Sequence, residues 1–374
     1  MTSGEPCHTP FGDFHLGRYP ARRDEPLQAW CAADLLLLEE IHRLGVPGPD
    51  ILVVNDEQGA LCVALGPREL WTDSALATFA LNNNLERNQR ALVPVRWSTE
   101  QPSAGAALVA LRIPKQLPYF QYQLAVLSRL IEPGAMVLAA GMDKHLSPRV
   151  AALLEEYIGP TERHRGQRKA RLFSARRDER EGPAAEPPAS YYCEALAGEL
   201  QSLPNVFSQE RLDGGSRLLL EQLQALEPAR RVVDLACGNG VLGLSAFRQG
   251  LAGEVLFADE SAMAVASAQA NAARLFPTDS ARFVFHRGDG LADYAGPVAG
   301  LILCNPPFHL NHVVDEYAGR RLLEQCARHL QPGGRLCIVA NQHLDYLPTL
   351  RRHFGAVQQL ARDRRFIVWL ARLR

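Results

Sequence analysis

The sequence predicts an α/β protein made of two tandem domains of one architecture, the product of an internal duplication. Three observations carry this. Short apolar runs alternate with longer amphipathic ones along the chain, the β-α-β-α order of a parallel sheet with helices on both faces. The order and punctuation of the first half return in the second at a period of roughly 185 residues, far too long for a solenoid. Residues 176–190, charged and proline-rich without apolar periodicity, read as a linker between the halves. The expected divisions are therefore 1–175, 176–190 and 191–374.

Residues 1–26, rich in proline, glycine and charge, read as an irregular lead-in. Leu27 to Leu44 reads as a helix stopped by Gly45-Val46-Pro47-Gly48-Pro49. Asp50 to Asp56 is a strand ending in amide and acid, followed by Gln58-Gly59 and an apolar helix or strand. Leu70 to Asp73 is a second strand, and Ser74 to Arg87 the helix after it. A strand Ala106–Ile113, a helix Phe120–Ile131 and a strand Ala135–Ala140 follow. A helix Pro148–Ile158 and a strand Ala170–Ala175 close the half.

The second half answers element by element. Arg231 to Asp234 answers the strand at Ile51, and Val255 to Asp259 the one ending at Asp73. The helix through Asn271 answers that carrying Asn82 to Asn84, and Gly300 to Asn305 answers Leu108 to Ile113. Pro332-Gly333-Gly334 answers Pro133-Gly134, and Phe366 to Leu370 the last strand of the first half.

Composition bounds the function classes. A chain of 374 residues, 47% hydrophobic and 22% charged, is of globular type and long enough for about two domains. The net charge of −1 leaves room only for a local nucleic-acid patch. Eight scattered cysteines without a C-x-x-C pair suit buried thiols in a reducing cytoplasm. With neither a signal pattern nor an apolar run near about 20 residues, secretion and membrane insertion are not expected.

The halves differ where chemistry would sit. Asp234-Leu235-Ala236-Cys237-Gly238-Asn239-Gly240 follows the first strand of the second half, and its two glycines let backbone approach a ligand. The first half has Asn55-Asp56-Glu57-Gln58-Gly59 there. Asn305-Pro306-Pro307-Phe308 ends a buried strand, and Arg112-Ile113-Pro114-Lys115 stands in its place upstream. Consecutive prolines end the ladder stiffly, leaving an amide, a carbonyl and a flat ring suited to a planar edge bearing –NH2. The first half thus reads as a copy that kept the fold and lost the site. Gly238 to Gly243 also fits G-x-G-x-x-G with Asp259 at the next strand end. A dehydrogenase reading is disfavoured, because Asp234 would oppose a pyrophosphate and Asn-Pro-Pro-Phe has no part in hydride transfer.

These motifs, with Gly288-Asp289 after the third strand, resemble the class I S-adenosylmethionine-dependent methyltransferases. Asn-Pro-Pro-Phe resembles the guanine-N2 branch acting on ribosomal RNA, of the RlmG type with RsmC as its neighbour. Asn205-Val206-Phe207-Ser208 with Leu212-Asp213, and Val339-Ala340-Asn341 with His343-Leu344-Asp345-Tyr346, extend the likeness over nearly the whole chain. The resemblance implies two tandem Rossmann-like methyltransferase domains, the N-terminal one degenerate and serving RNA recognition. It implies S-adenosylmethionine as cofactor and S-adenosylhomocysteine as product.

By position, Asp234 and the Gly238–Gly240 loop would hold the methionine moiety and Asp259 would accept both ribose hydroxyls, with Ala236, Glu260 and Asn305 also binding the cofactor. Asp289 would take the adenine amine. Asn305 and the Pro306 carbonyl would accept the hydrogens of guanine N2, Pro307 would stiffen the turn, and Phe308 would stack, worth about 1–3 kcal/mol. His309 and His312 lack a third ligand, so no metal is expected. Arg163, Arg165, Arg168, Lys169 and Arg171 form the favoured RNA patch, ahead of Arg362, Arg364 and Arg365. The implied partner is 23S ribosomal RNA, protein-free or partly assembled, met by a cytoplasmic monomer. The alternatives are a small-subunit guanine, adenine N6 or a glutamine nitrogen; outside enzymes, a ribosome-assembly scaffold.

Overall fold

The computed structural model describes residues 5–22, 25–306, 309–310, 313–314 and 316–374. It divides into two compact units, residues 1–187 and 188–374.

Each unit is a seven-stranded sheet of one topology. In the second, Ala229–Leu235 lies at the centre, flanked by Ala252–Asp259 and then Phe283–Arg287 on one side. On the other side come Ala299–Cys304, Leu330–Asn341, Phe366–Arg372 and Ala356–Arg362. The first unit repeats that order with Ile51–Val54 at its centre, Glu69–Thr72 and Val95–Trp97 on one side, and Leu108–Arg112 and Met136–Met142 on the other. Ala170–Arg176 and Thr161–Arg163 complete it. Ile51–Val54 and Ala299–Cys304 are buried at every position, as strands covered on both faces must be.

The sheets are mixed, which corrects the all-parallel expectation. The last two strands of each run antiparallel to their neighbours. A parallel return needs a crossover of a dozen or more residues, and the six and three residues that join the last two strands of each sheet, 164–169 and 363–365, are too few for one. In the first unit the bridge between Gln167 and Ala170 closes on Arg168 and Lys169, both left-handed at φ 51° and 61°. That is the backbone of a tight hairpin turn, written here without the usual asparagine and glycine. Two further elements depart from expectation. The lead-in contains a hairpin of Cys7–Thr9 with Gly12–Phe14, and a strand at Val95–Trp97 was not expected.

Residues 176–182 belong to the first unit's packing. Arg176 ends a strand, and Arg177 is buried with its Nε donating to the Ser128 carbonyl at 2.7 Å. A Cβ on Gly182 would meet the Tyr157 carbonyl at 2.6 Å. Residues 189 and 190 open another hairpin, Ala189–Cys193 with Gly198–Ser202.

The duplication reaches individual side chains. Asn271, fully buried, accepts from Gln201 N at 2.9 Å and donates to the carbonyls of Gln201 at 2.8 Å and Asn239 at 3.0 Å. Asn84 accepts from Gly17 N at 2.8 Å and donates to the carbonyls of Gly17 at 2.9 Å and Gln58 at 2.8 Å. In each unit a helix asparagine thus ties an N-terminal segment to the loop after the central strand. Such satisfied buried amides specify one arrangement.

Candidate active site

The site lies at the carboxyl edge of the second sheet, where the order turns from the central strand to Ala299–Cys304. This is the crevice where open α/β sheets bind ligands. Register pairs Leu235 with Cys304, so Ala236 and Asn305 leave the two strands side by side.

Asp234 is the carboxylate at the floor. It is 1% exposed, its Oδ2 accepts from Gly243 N at 2.8 Å, and its Oδ1 is buried without a partner. Burial pushes its pKa up to about 8, against the Gly243 hydrogen bond, and the Asp259 carboxylate adds to the rise. The chain turns away at Ala236, left-handed at φ 57°, then at Gly238 and Gly240, at φ 53° and 85°. The two glycines serve different ends. A Cβ on Gly240 would press on Ala268 at 3.1 Å and Phe257 at 3.3 Å, so this glycine admits a packed helix. On Gly238 a Cβ would meet only Val206 Cγ1, at 3.9 Å, so this one leaves backbone bare.

Asp259 ends the neighbouring strand and locks the loop. Its Oδ2 accepts from Gly238 N and its Oδ1 from Ser261 N, both at 3.0 Å. Glu260 follows, half-buried, and Ser261 caps the next helix, accepting from Ala264 N at 3.1 Å. Asp234, Ala236, Gly238, Gly240 and Asp259 thus come together. Asp289 stands after the next strand and is buried, and its carboxylate is engaged by the guanidinium of Arg321. Arg321 lies on helix Glu316–His329. The sequence gives no sign of that ion pair, because nothing distinguishes Arg321 from Arg320 and Arg328 on the same polar helix.

Asn305 carries the distinctive geometry. Its Nδ2 donates to Asp213 Oδ2 at 3.0 Å and Ser216 Oγ at 2.9 Å, while its Oδ1 is buried and unpartnered. Asp213 and Ser216 open helix Gly214–Leu220, which Asp213 caps by accepting from Ser216 N at 3.0 Å. Leu212-Asp213 carries part of the family resemblance, but its tie to Asn305 spans 92 residues and leaves no local signal. Pro306 is buried. Pro307, Phe308 and His312 lie outside the described residues, as does the side chain of His309. Cys237 and Cys304 are pushed well up by burial, so neither is a thiolate nucleophile.

An unpaired carboxylate oxygen at the floor, a bare stretch of left-handed backbone and a strand-end acid suit a zwitterionic ligand with a ribose, as S-adenosylmethionine is. The residues fit that group. The lone Asn305 oxygen beside them suits an N–H donor.

The first unit keeps the frame without these features. Asn55 and Gly59 repeat the left-handed turns at φ 61° and 83°, but Val53 and Glu57 stand where Asp234 and Gly238 do. Asn55 fills the space, donating to the Arg112 carbonyl and exchanging hydrogen bonds with Gln123, each at 2.9 Å. It also accepts from Tyr119 Oη at 3.2 Å. The basic patch expected to meet RNA lies on this unit. Arg163, Arg165 and Lys169 are exposed, whereas Arg168 pairs with Glu39 at 3.2 Å and Arg171 with Asp143 at 3.1 Å.

Two family models match the chain. Residues 5–179 match the family described as RLMG N-terminal domain, and residues 197–370 the methyltransferase small domain. A protein of Alcanivorax borkumensis named ribosomal RNA large subunit methyltransferase G is 38% identical, covering 97% of this chain and 96% of its own. One of the same name from Pseudomonas aeruginosa is 40% identical, covering 96% and 97%. Among solved structures, T. thermophilus 16S rRNA N2 G1207 methyltransferase (RsmC), in complex with AdoMet and guanosine, superposes with a TM-score of 0.77. It is 23% identical and covers 99% of this chain and 97% of its own. Among the described residues no helix is long and apolar enough to cross a membrane.

Proposed function

The chain belongs to the family of ribosomal RNA large subunit methyltransferases G, and we propose that it methylates the exocyclic N2 of a guanine in 23S ribosomal RNA. The observation that carries the reading is the buried, unpartnered Oδ1 of Asn305 beside the glycine loop. S-adenosylmethionine, when bound, supplies an electrophilic methyl group on its sulfonium. Asp234, Ala236, Gly238 and Gly240 would hold its amino-acid end, Asp234 offering the free oxygen to the ammonium. Asp259 and Glu260 would face the ribose, and Asp289, shared with Arg321, the adenine.

The lone pair of guanine N2 is delocalised into its ring, so the nitrogen is a weak nucleophile. Asn305 Oδ1 and the Pro306 carbonyl accept its two hydrogens and turn the lone pair towards the methyl. Holding that orientation is most of the catalysis. The proton leaves after transfer, once nitrogen has become cationic, so no strong base is required. Phe308, by its place in the sequence, stacks on the base, which must be single-stranded or flipped out. The exposed Arg163, Arg165 and Lys169, with Arg168 and Arg171 beside them, supply phosphate contacts on the first unit. We place the reaction in the cytoplasm, on protein-free or partly assembled RNA, with the chain as a monomer.

The test is nucleoside analysis of protein-free 23S RNA after incubation with the enzyme and labelled S-adenosylmethionine. The expected product is N2-methylguanosine at one site. Label in N6-methyladenosine, or only in small-subunit RNA, would contradict the reading.

A further inference from the structure

Asp213 would ordinarily be accounted for as a helix cap. Its Oδ2, however, serves two donors, Ser216 N and Asn305 Nδ2, both at 3.0 Å. An ionised carboxylate only accepts, so the amide of residue 305 must present its NH2 to Asp213 and turn its oxygen away. The flipped amide would set carbonyl oxygen against carboxylate oxygen. Ser216 Oγ, at 2.9 Å, is a second acceptor for the same NH2. The result is an Asn305 Oδ1 buried and unpartnered.

The first unit shows the same joint in another use. Leu111 pairs with Val54 as Cys304 pairs with Leu235, so Arg112 occupies the place of Asn305. Its guanidinium binds Asp34, in the first turn of helix Ala32–Leu44. Both units therefore join the end of this strand to an aspartate at the start of the helix preceding the sheet. Only in the second does the joint leave an amide oxygen without a partner.

We propose that Asp213 is a positioning residue for methyl transfer. With Ser216 it sets the flip of the Asn305 amide, and its negative charge polarises that amide so that Oδ1 accepts the reacting amine more strongly. The proposal rests on the part given to Asn305 above.

The test is single-turnover transfer to protein-free 23S RNA, with S-adenosylhomocysteine titration and thermal melting, for D213A, D213N, the D213N/S216A pair and N305A. Asn at 213 retains a capping oxygen, so the variants carrying it stay folded. D213A is expected to slow transfer by about 30- to 300-fold with product affinity within about threefold, a loss confined to the chemical step. D213N should recover to within about tenfold of wild type, and D213N/S216A, free to flip at both positions, should fall at least about tenfold. Should D213A not fold, the double variant decides. Transfer within about threefold of wild type in D213A or in the double variant, while N305A is inactive, overturns the positioning role and leaves the methyl-transfer reading intact. A parallel loss of rate and product affinity overturns it as well. An N305A enzyme as fast as wild type instead removes the reading beneath it.

Discussion

At the scale of single residues, Asp234 is a buried carboxylate only half satisfied, at the floor of the proposed cofactor site. With one oxygen on Gly243 N and the other buried and bare, its pKa stands at about 8, against an ordinary 3.8. The sign follows from proton linkage. The folded chain holds a proton that the unfolded chain releases, so the contribution to stability is full below the ordinary value and lost as pH rises through about 8. Asn at 234 has no such charge to bury, and its carbonyl oxygen still accepts from Gly243. In thermal melts of the unliganded protein, D234N should therefore exceed wild type at pH 8.5, with the gap closing towards pH 5. A gap independent of pH would contradict this account. The same variant should bind S-adenosylhomocysteine at least about tenfold more weakly, having lost the charge for the ammonium.

Asp234, Asp259 and Asn305 were legible from sequence because each ends an apolar run and so reaches the sheet edge whatever the helices do. Asp213, Ser216 and Arg321 were not. Each meets its partner only through the packing of a helix, 32 to 92 residues away.

At the scale of elements, the two loops after the central strands make a natural comparison. Their backbone turns agree within a few degrees at Asn55 and Ala236, and at Gly59 and Gly240. The first loop is nonetheless closed by the side chains of Asn55, Gln123 and Tyr119, and its buried carboxylate, Asp56, has both oxygens taken, by Gly59 N at 3.0 Å and Cys62 N at 2.8 Å. Calorimetric titration should find one S-adenosylhomocysteine per chain. Two sites, or one site surviving in D234N with full affinity, would contradict the assignment. Element order was readable because strands buried on both faces are written as unbroken apolar runs. Strand direction at the sheet's end was not, since the Arg168-Lys169 turn adopts left-handed backbone with residues that seldom advertise it.

At the scale of the molecule, duplication explains why a chain of near-zero net charge carries one site. Both units preserve the sheet order and the asparagine tie, which serve folding. Only the second combines an unpartnered acid oxygen, a bare glycine and a free amide oxygen, to which the proposed chemistry is assigned. The first unit is left with a basic turn in which Arg163, Arg165 and Lys169 are exposed, and with that the part proposed for it in RNA contact. The division into two similar halves was visible in the punctuation of the sequence. The packing of residues 176–182 onto the first was not, because Arg177 is buried by its hydrogen bond to Ser128, in a stretch whose composition is that of a linker.

The proposed transfer turns on one oxygen atom, and N305A removes it. With saturating S-adenosylmethionine and protein-free 23S RNA, single-turnover methyl transfer by N305A should fall at least about 100-fold, with affinity for S-adenosylhomocysteine within about threefold of wild type. Transfer at the wild-type rate would show that the amine is directed by some other group.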